Sequence, residues 1–549
     1  RYVARSTLGV GVSVPYFWAL APNYDVTVTP TVLTRQGVMG TVEWRHRLLD
    51  GAYDIRASGI FQQEPGAFRE TPYGPGNMTF RGSLETKGEF NINKKWRVGW
   101  DVTVLSDRWF LQDYKLPNQN LSTNYFKEAI STVYLNGQAD RGYFDLRGYR
   151  FQGLSRADIQ EQQPLVAVLD YNKTFDVSPA RSGGIGGQIE VDLNLTSITR
   201  ELAAFEAIGG RRLDRAYNIF DVCEVYDRNN CLAKGLGGNY ARATVNVSWK
   251  RQFIDPIGQV WTPFVFSHLN GTWLNLDATR QLVFTNPTDP GLKSIIANDL
   301  QHIFYGANDT AFRADLTPGA GIEYRLPLFG RSEGVTHVLE PIVQVIARPD
   351  TVRDRRLVNE DAQSLVFDDT SLFEWDKFSG YDRVEGGVRA NLGAQYSVVT
   401  PSGWYANLMF GESIQIAGVN SFRRGDLANV GLDSGLENRR SDFVGRFQLS
   451  PNQNISFISR ARFDQRDFAV NRFETGVTAR FSPFLPLETS LFYSFYEAQP
   501  ALGFAHRREG VTASATYRIT PNWFVTGSAL VDFTRYLDTR DTFADLYTA

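Results

Sequence analysis

The segment Gly330-Arg331-Ser332-Glu333-Gly334 matches the G-x-S-x-G pattern of a nucleophile elbow. In that motif the serine lies on a sharp turn between a buried strand and a helix, where its hydroxyl can attack an acyl group. Here the pattern follows LPLF in a polar stretch typical of a hairpin turn. We therefore predict no enzyme activity. A hydrolase acting through Ser332 is the alternative, and it would need a histidine and an acid at the same rim of the fold.

Cys223 and Cys231 are the two cysteines of the chain, and both lie in the polar stretch DVCEVYDRNNC. So few cysteines are typical of an oxidising compartment, and a bridge within this short loop would stabilise it by roughly 2–3 kcal/mol. The five histidines are far apart in the sequence. The pattern favours a local Cys223–Cys231 disulfide and predicts neither a metal site nor a cofactor.

Pro15 and Pro30 lie in the two strands predicted for the first hairpin, GVGVSVPYFWALAPNYDVTVTPTVLTRQG. Proline cannot donate to a β-ladder and is usually confined to edges, strand starts or bulges. If the chain reverses at Pro22 and Asn23, the two prolines lie opposite each other. They would then weaken the seam where the first strand meets the last, which suggests a lateral gate. Bulges that only shape the sheet are the alternative.

Alternation of apolar and polar residues over about ten positions recurs along the whole chain. Clear examples are 189–196, 241–249, 388–397 and 511–519. We count roughly 22 strand candidates, too many for one sandwich, and a sheet of this size in a membrane should close to leave no unpaired edge. The sequence therefore predicts an all-β fold, a large antiparallel transmembrane β-barrel of about 22–26 strands.

Composition excludes two other classes of protein. No stretch approaches 18 apolar residues, so transmembrane helices are excluded. A net charge of -3, with no basic excess, argues against nucleic-acid binding. Aromatic residues near predicted strand ends, such as Trp18, Trp96 and Trp523, indicate the interfacial girdles of a membrane barrel.

Connections between the predicted strands fall into two kinds. Asp50-Gly51, Asn136-Gly137 and Pro521-Asn522 are hairpin signals. Three stretches are longer, and we interpret them as loops or lumen insertions: 200–238 with both cysteines, 276–310 with the possibly helical LKSIIANDLQHIFY, and the charge-rich 350–380.

The run PYFWALAPNYDVTVTPTVLTRQG resembles the opening signature of the LPS-assembly outer-membrane protein (LptD) family. QPLVAVLDYNKTFD, HVLEPIVQV and FSGYDRVEGGVRANLGAQYS are further matches, and they follow in the family's order. The resemblance implies a Gram-negative outer-membrane barrel of about 26 strands that inserts lipopolysaccharide into the outer leaflet. It also implies that Pro15 and Pro30 are the paired prolines of the family's lateral gate.

The same resemblance implies partners. These are lipopolysaccharide, a plug lipoprotein (LptE) in the lumen, the periplasmic bridge protein (LptA) reached through a β-jellyroll, and the barrel-assembly machinery for insertion. We expect residues 1–549 to be the barrel domain, without the jellyroll and without the last strands. The alternatives are a TonB-type receptor or an usher, each of which needs a plug domain that would interrupt the alternation.

Overall fold

The computed structural model describes residues 2–68, 76–116, 128–154, 165–180, 182–200, 204–207, 231–276, 282–285, 293–296, 310–351, 359–362, 365–423, 428–481, 486–502, 504, 506–521, 523–533 and 543–548. Within these ranges helical structure is confined to α1 (Phe110–Tyr114) and two 3-10 turns, Pro65–Ala67 and Pro500–Leu502. No helix in this part of the chain is long and apolar enough to cross a membrane.

The strands follow one another along the chain. The first sixteen are β1 (Tyr2–Arg5), β2 (Gly9–Ser13), β3 (Tyr16–Ala21), β4 (Tyr24–Leu33), β5 (Gly37–Arg47), β6 (Gly51–Phe61), β7 (Phe80–Asn91), β8 (Trp96–Leu105), β9 (Glu128–Ala139), β10 (Gly142–Gly153), β11 (Leu165–Val177), β12 (Gly187–Arg200), β13 (Ala204–Ala207), β14 (Cys231–Gly235), β15 (Gly238–Lys250) and β16 (Phe253–Ile254). The others are β17 (Val260–Leu276), β18 (Leu282–Thr285), β19 (Lys293–Ile296), β20 (Thr310–Arg325), β21 (Leu328–Ser332), β22 (Val335–Ala347), β23 (Val388–Val399), β24 (Tyr405–Ala417), β25 (Phe443–Asn452), β26 (Ile455–Phe463), β27 (Val470–Phe481), β28 (Leu487–Tyr496), β29 (Arg508–Thr520), β30 (Trp523–Asp532) and β31 (Phe543–Thr548).

One antiparallel sheet contains 27 of these segments. Each long strand pairs with the next long strand in the chain, from the β4–β5 ladder to the β30–β31 ladder. β13–β14 and β18–β19 are separate two-stranded ribbons within connections. This order is the up-and-down meander of an outer-membrane barrel, and it confirms the predicted fold class.

Three strands of the sheet are interrupted, so that two consecutive segments pair with the same neighbouring strand. They are β2 and β3 beside β4, β15 and β16 beside β17, and β20 and β21 beside β22. At each interruption an amide donates to the carbonyl oxygen of a proline in the neighbouring strand. The pairs are Val14 with Pro30, Arg251 with Pro263, and Leu326 with Pro341. A proline nitrogen cannot return such a bond, which explains why the ladder breaks there.

Polar and apolar residues alternate between the two faces of the sheet. Inside, Asn194 donates to Asp170 (2.6 Å) and Thr244 donates to Asn270 (3.1 Å) across neighbouring strands. On the opposite face apolar side chains such as Leu195 are exposed. The four alternating segments singled out in the sequence lie in β12, β15, β23 and β29, as predicted.

The two ends of the sheet differ in the length of their connections. Turns of two or three residues at one end occupy 22–23, 48–50, 140–141 and 453–454. Connections at the other end include 106–127, 201–237, 348–387 and 418–442. In outer-membrane barrels short turns face the periplasm and longer loops face outside. Trp18, Trp96 and Trp523 lie near short turns, where an interfacial girdle was predicted.

Two local predictions were wrong. Asn136-Gly137 lies inside β9, and the hairpin turns at 140–141 instead. Gly137 is required there because the Trp96 ring of β8 would lie 2.8 Å from an added Cβ atom. Lys293–Ile296, predicted as possible helix, forms β19 and pairs with β18. The other residues of LKSIIANDLQHIFY lie outside the described residues.

Candidate functional site

The first long strand is broken at Val14 and Pro15. The Val14 N–H donates to the Pro30 carbonyl oxygen (3.3 Å), and the register of β2 and β3 on β4 places Pro15 opposite Thr29. We call residues Gly9–Leu33 the edge hairpin.

Each proline of the edge hairpin removes a donor on a different side of the first strand. Pro30 has no N–H to return to the Val14 carbonyl oxygen. Successive residues of an antiparallel strand direct their N–H groups to opposite sides. Because the Val14 N–H points toward β4, the Pro15 nitrogen points away from β4, toward the outer edge. The first strand therefore lacks one ladder bond on its inner side and one on its outer side.

The expectation that Pro15 and Pro30 lie directly opposite each other was wrong by one residue. Next to the turn Ala21 pairs with Tyr24, whereas Ala19 pairs with Asp25. A bulge between Ala19 and Ala21 thus shifts the register for the rest of the hairpin. The two prolines are diagonal neighbours, and both still act at one level of the ladder.

The edges of the sheet lie beside this break. β1 pairs with β2 over four residues, and β31 pairs with β30. Among the described residues no ladder joins β31 to β1 or β3. Tyr16, Phe17 and Trp18 on β3 are each more than half exposed. The part of the first strand on the turn side of the break is therefore a bare edge within the described structure.

A second hairpin repeats the geometry of the edge hairpin inside the sheet. Leu326 donates its N–H to the Pro341 carbonyl oxygen (3.2 Å), and Pro327 follows at the break. We call Thr310–Ala347 the wall hairpin. β17 pairs with β20 along the whole of β20. The wall hairpin is thus flanked by a long strand where the edge hairpin has only the short β1.

A cavity of about 300 Å³ lies on the lumen side of the break. Its lining is polar near Pro15 and apolar above it. The polar part includes Ser13, Thr29, Thr31 and Thr41, and the apolar part includes Val3, Leu8, Leu33, Met39, Tyr114 and Leu116.

The roof of this cavity belongs to an apolar cluster that we call the cap. It combines α1 and its flanks, residues 105–116, with side chains from β1, β4, β5, β6 and β9 and from the connections that follow β1, β6 and β10. Its fully buried members include Leu8, Ile60, Phe110, Leu111 and Leu154. The cap closes the loop end of the lumen over the edge hairpin.

Arg81 fixes the cap to the wall. Its side chain on β7 is fully buried, and it bonds Asp107 with both Nε (2.8 Å) and Nη2 (2.7 Å). Nη2 also bonds Asp113 of α1 at 2.9 Å. The guanidinium lies over the Phe68 and Tyr114 rings. A buried bidentate ion pair of this kind is costly to break, because removing one partner leaves a buried charge.

Residues 348–387, which we call the inward loop, are held in the other half of the lumen by ion pairs. Arg242 on β15 lies 2.7 Å from both Asp361 and Asp382. Arg200 on β12 contacts Glu360 at 3.0 Å. The charge-rich stretch 350–380 is therefore a lumen insertion, which was one of the two interpretations of the sequence.

Strands farther along the chain bind a second part of the inward loop. Asp369 contacts Arg446 (3.1 Å) and Arg460 (3.3 Å), and Asp368 contacts Arg472 (3.5 Å). The loop thus spans the lumen from β12 to β27. An arginine on the polar face of a strand is the signal for these contacts in the sequence. That signal does not identify the acidic partner, which lies up to about 160 residues away.

Trp375 lies where the inward loop comes nearest to the turn end of the lumen. Its ring stacks on Phe264 at 4.3 Å between centroids. Below it lies a cavity of about 1070 Å³. Charged side chains dominate its lining: Glu190, Lys250, Arg251, Glu323, Arg325, Glu340, Glu374 and Asp376. The cavity therefore suits a hydrophilic occupant.

A charge cluster buried at the root of the inward loop perturbs several pKa values. Burial, reinforced by Glu385, raises the pKa of Asp376 to about 6. Burial lowers the pKa of Lys377 to about 8, against the attraction of Glu385. Burial alone would raise the pKa of Glu385, but Lys377, Arg348 and Arg389 hold it below its usual range. The cluster is a compensated network between the loop and the start of β23.

The other predicted site residues do not meet the edge hairpin in the described structure. Cys223 lies outside the described residues, and only the backbone of Cys231 is described, so the disulfide stays a prediction. Ser332 ends β21, and Glu333 and Gly334 form a turn with positive φ angles of 50° and 83° before β22 begins. This strand–turn–strand context is the predicted hairpin and lacks the helix that a nucleophile elbow needs.

Residues 79–523 match the family model described as LPS transport system D (LptD). The LPS-assembly protein LptD of Hahella chejuensis is 27% identical over 399 residues, which are 71% of this chain and 41% of that protein. The LptD protein of Nitrosococcus oceani is 29% identical over 159 residues, 28% of this chain and 19% of that protein. The matched part spans less than half of either relative.

Solved structures give a much weaker likeness. The FrpB iron transporter from Neisseria meningitidis covers 93% of this chain and 78% of its own, with 10% identity and a TM-score of 0.35. A score this low carries no argument. The edge hairpin lies before the residues that the family model matches.

Proposed function

The chain belongs to the LPS transport system D (LptD) family, and from this premise we propose that it delivers lipopolysaccharide to the outer leaflet through a lateral gate at the edge hairpin. The protein is an outer-membrane β-barrel of a Gram-negative bacterium. The family assignment replaces the alternatives of a TonB-type receptor and an usher. The family is one of transport and assembly, and on this proposal Ser332 has no catalytic role.

The break at Val14 and Pro15 is the observation that carries the proposed gate. A gate must separate strands without unfolding the barrel, and each ladder bond that is absent lowers the cost of separation by about 1 kcal/mol. Pro30 and Pro15 remove bonds on both sides of the first strand. Acyl chains would leave here sideways, while the sugar stays in the polar lumen.

The large charged cavity supports the proposal of a lumen partner. Its lining includes Arg325 and Glu340, and it lies at the turn end, which faces the periplasm in outer-membrane barrels. We propose that the plug lipoprotein (LptE) occupies this space. On the same proposal residues 1–549 are the barrel domain, the bridge protein (LptA) docks on a jellyroll outside this sequence, and the barrel-assembly machinery inserts the protein.

Restoring the missing donor tests the gate. Pro30→Val supplies an N–H to the Val14 carbonyl oxygen, whereas Pro341→Val makes the same change in the wall hairpin. We expect Pro30→Val in the complete protein to slow the arrival of new lipopolysaccharide at the cell surface about fivefold, the effect of one net hydrogen bond. Pro341→Val should leave the rate unchanged. Equal effects of the two variants, or none from Pro30→Val, would contradict the proposal.

A further inference from the structure

The geometry points to the cap as a latch that holds the gate closed, with Leu8 and Arg5 as the positioning residues through which it acts on the first strand. This inference rests on the proposed function, because it assigns regulation to the same gate. The latch must be released before the first strand can move.

Leu8 is the apolar half of the latch. It lies in the turn between β1 and β2, yet only 1% of its surface is exposed. It packs in one cluster with Phe110, Leu111 and Tyr114 of α1. A turn residue at a sheet edge is usually solvated, so burial this complete fixes the start of the first strand to α1.

Arg5 is the polar half. Its Nη1 atom donates to the backbone carbonyl oxygens of Gln112 (3.3 Å) and Asp113 (3.4 Å) at the end of α1. The turn itself is held from the other side, where Gln36 donates to the Thr7 carbonyl oxygen at 2.8 Å. On the loop side of the break, the first strand is thus held by side chains of β1, of α1 and of the turn between β4 and β5.

Arg81 completes the chain of contacts from the gate to the wall. It anchors α1 through Asp113, as described above, so α1 cannot move with the first strand unless this ion pair breaks. On the turn side of the break nothing comparable holds β3 in the described structure. The 300 Å³ cavity beneath Tyr114 leaves room behind Pro15 for the strand to shift once Leu8 is withdrawn.

A cleavable tether across the latch tests this inference in the complete protein, expressed in cells with Cys223→Ser and Cys231→Ser. Arg5→Cys and Gln112→Cys are joined by a disulfide-containing bismaleimide. We expect surface delivery of lipopolysaccharide to fall about tenfold, within the usual range of conformational coupling, and to recover when the linker is reduced. The matched control joins Arg480→Cys to Glu488→Cys, whose side chains form an exposed ion pair at 3.0 Å between β27 and β28, far along the chain from β1, β2 and α1.

Loosening the latch gives the opposite readout. Leu8→Ala should make the outer membrane leaky to large apolar antibiotics, whereas Leu274→Ala, an equal truncation in another buried cluster, should not. Variants are compared at equal amounts of folded, heat-modifiable barrel. If Leu8→Ala fails to fold, the tether alone decides.

Unchanged delivery with the Arg5–Gln112 tether in place, or equal leakage from Leu8→Ala and Leu274→Ala, would overturn the latch. If Pro30→Val slows delivery but the tether does not, the latch fails and the gate stands. If neither acts, the gate itself fails.

Discussion

The edge hairpin and the wall hairpin contain the same device. In each, an amide just before a proline donates to the carbonyl oxygen of a second proline on the facing strand. The difference lies in their neighbours. β20 is paired with β17 over sixteen residues, from Thr310 to Arg325, whereas β2 has four partners on β1.

On the proposed function, a proline pair alone does not make a gate. Pro327 and Pro341 interrupt a ladder inside the sheet, where the long strand β17 flanks the whole of β20 up to the break. Pro15 and Pro30 interrupt it at the edge, where one side is open. The sequence left two interpretations of these prolines, a shaping bulge and a weak seam, and their location at the edge supports the weak seam on which the proposed gate rests.

Arg81→Ala should have the largest effect on the comparison. It leaves Asp107 buried without its partner, which costs about 3–5 kcal/mol. Arg325→Ala, next to the wall break, removes a side chain that is 37% exposed and should cost less than about 1 kcal/mol. Denaturant unfolding of the purified barrels measures both. Similar losses would show that the cap is not specially anchored.

The rates of amide hydrogen exchange should differ between the two hairpins in the unmodified protein. Amides near Val14 and Tyr16 should exchange at least about tenfold faster than those near Leu326, because less structure must open to expose them. Mass spectrometry of peptides from the two hairpins gives the ratio. A ratio near one would remove the distinction between edge and wall.

Glycine substitutions in the two hairpins should introduce similar backbone strain but differ in function. Gly9 and Gly334 have φ angles of +74° and +83°, and this strain alone should cost about 1–2 kcal/mol with alanine at either site. Only Gly9→Ala, which also brings a Cβ atom 2.2 Å from the Thr34 hydroxyl oxygen beside the latch, should increase antibiotic entry. Equal leakage from Gly334→Ala would show that strain alone is the cause.

pH should affect the inward loop and spare the edge hairpin. Asp376 binds its proton more tightly in the docked loop than in a free loop, so protonation of its carboxyl group stabilises docking. This stabilisation is complete below the ordinary pKa of about 3.9 and is lost as the pH rises through about 6. Protease accessibility of the loop should therefore rise between pH 5 and pH 7. Asp376→Asn should remove that trend, and persistence of the trend would assign it to another group. This effect on the loop should be the smallest of those predicted, because Arg348 and Lys377 offset the negative charge of Asp376.

The strands could be predicted because a barrel wall imposes the same two faces along each strand. The alternation in 189–196 and 388–397 therefore survives any detail of register. Register itself was harder, since the bulge beside Leu20 shifts the pairing without a change of residue pattern. Gly137 was interpreted as a turn residue, because nothing in its own neighbourhood shows that Trp96 lies against it.

The cap and the inward loop were beyond prediction for a related reason. Arg242 meets Asp382 across 140 residues, and Arg5 of the latch meets Gln112 of α1 across 107. Such contacts follow from the way the sheet folds over its lumen and have no local period. The charge of the 350–380 region suggested an insertion but not its anchors.

Photocrosslinking in cells that make lipopolysaccharide tests the gate most directly. A photoreactive residue replaces Pro15 in one version of the complete protein and Pro327 in another. A lipopolysaccharide adduct that depends on transport should form at position 15 and not at position 327. No adduct at 15 while lumen positions such as Thr244 capture lipopolysaccharide, or equal adducts at 15 and 327, would contradict an exit at the edge hairpin.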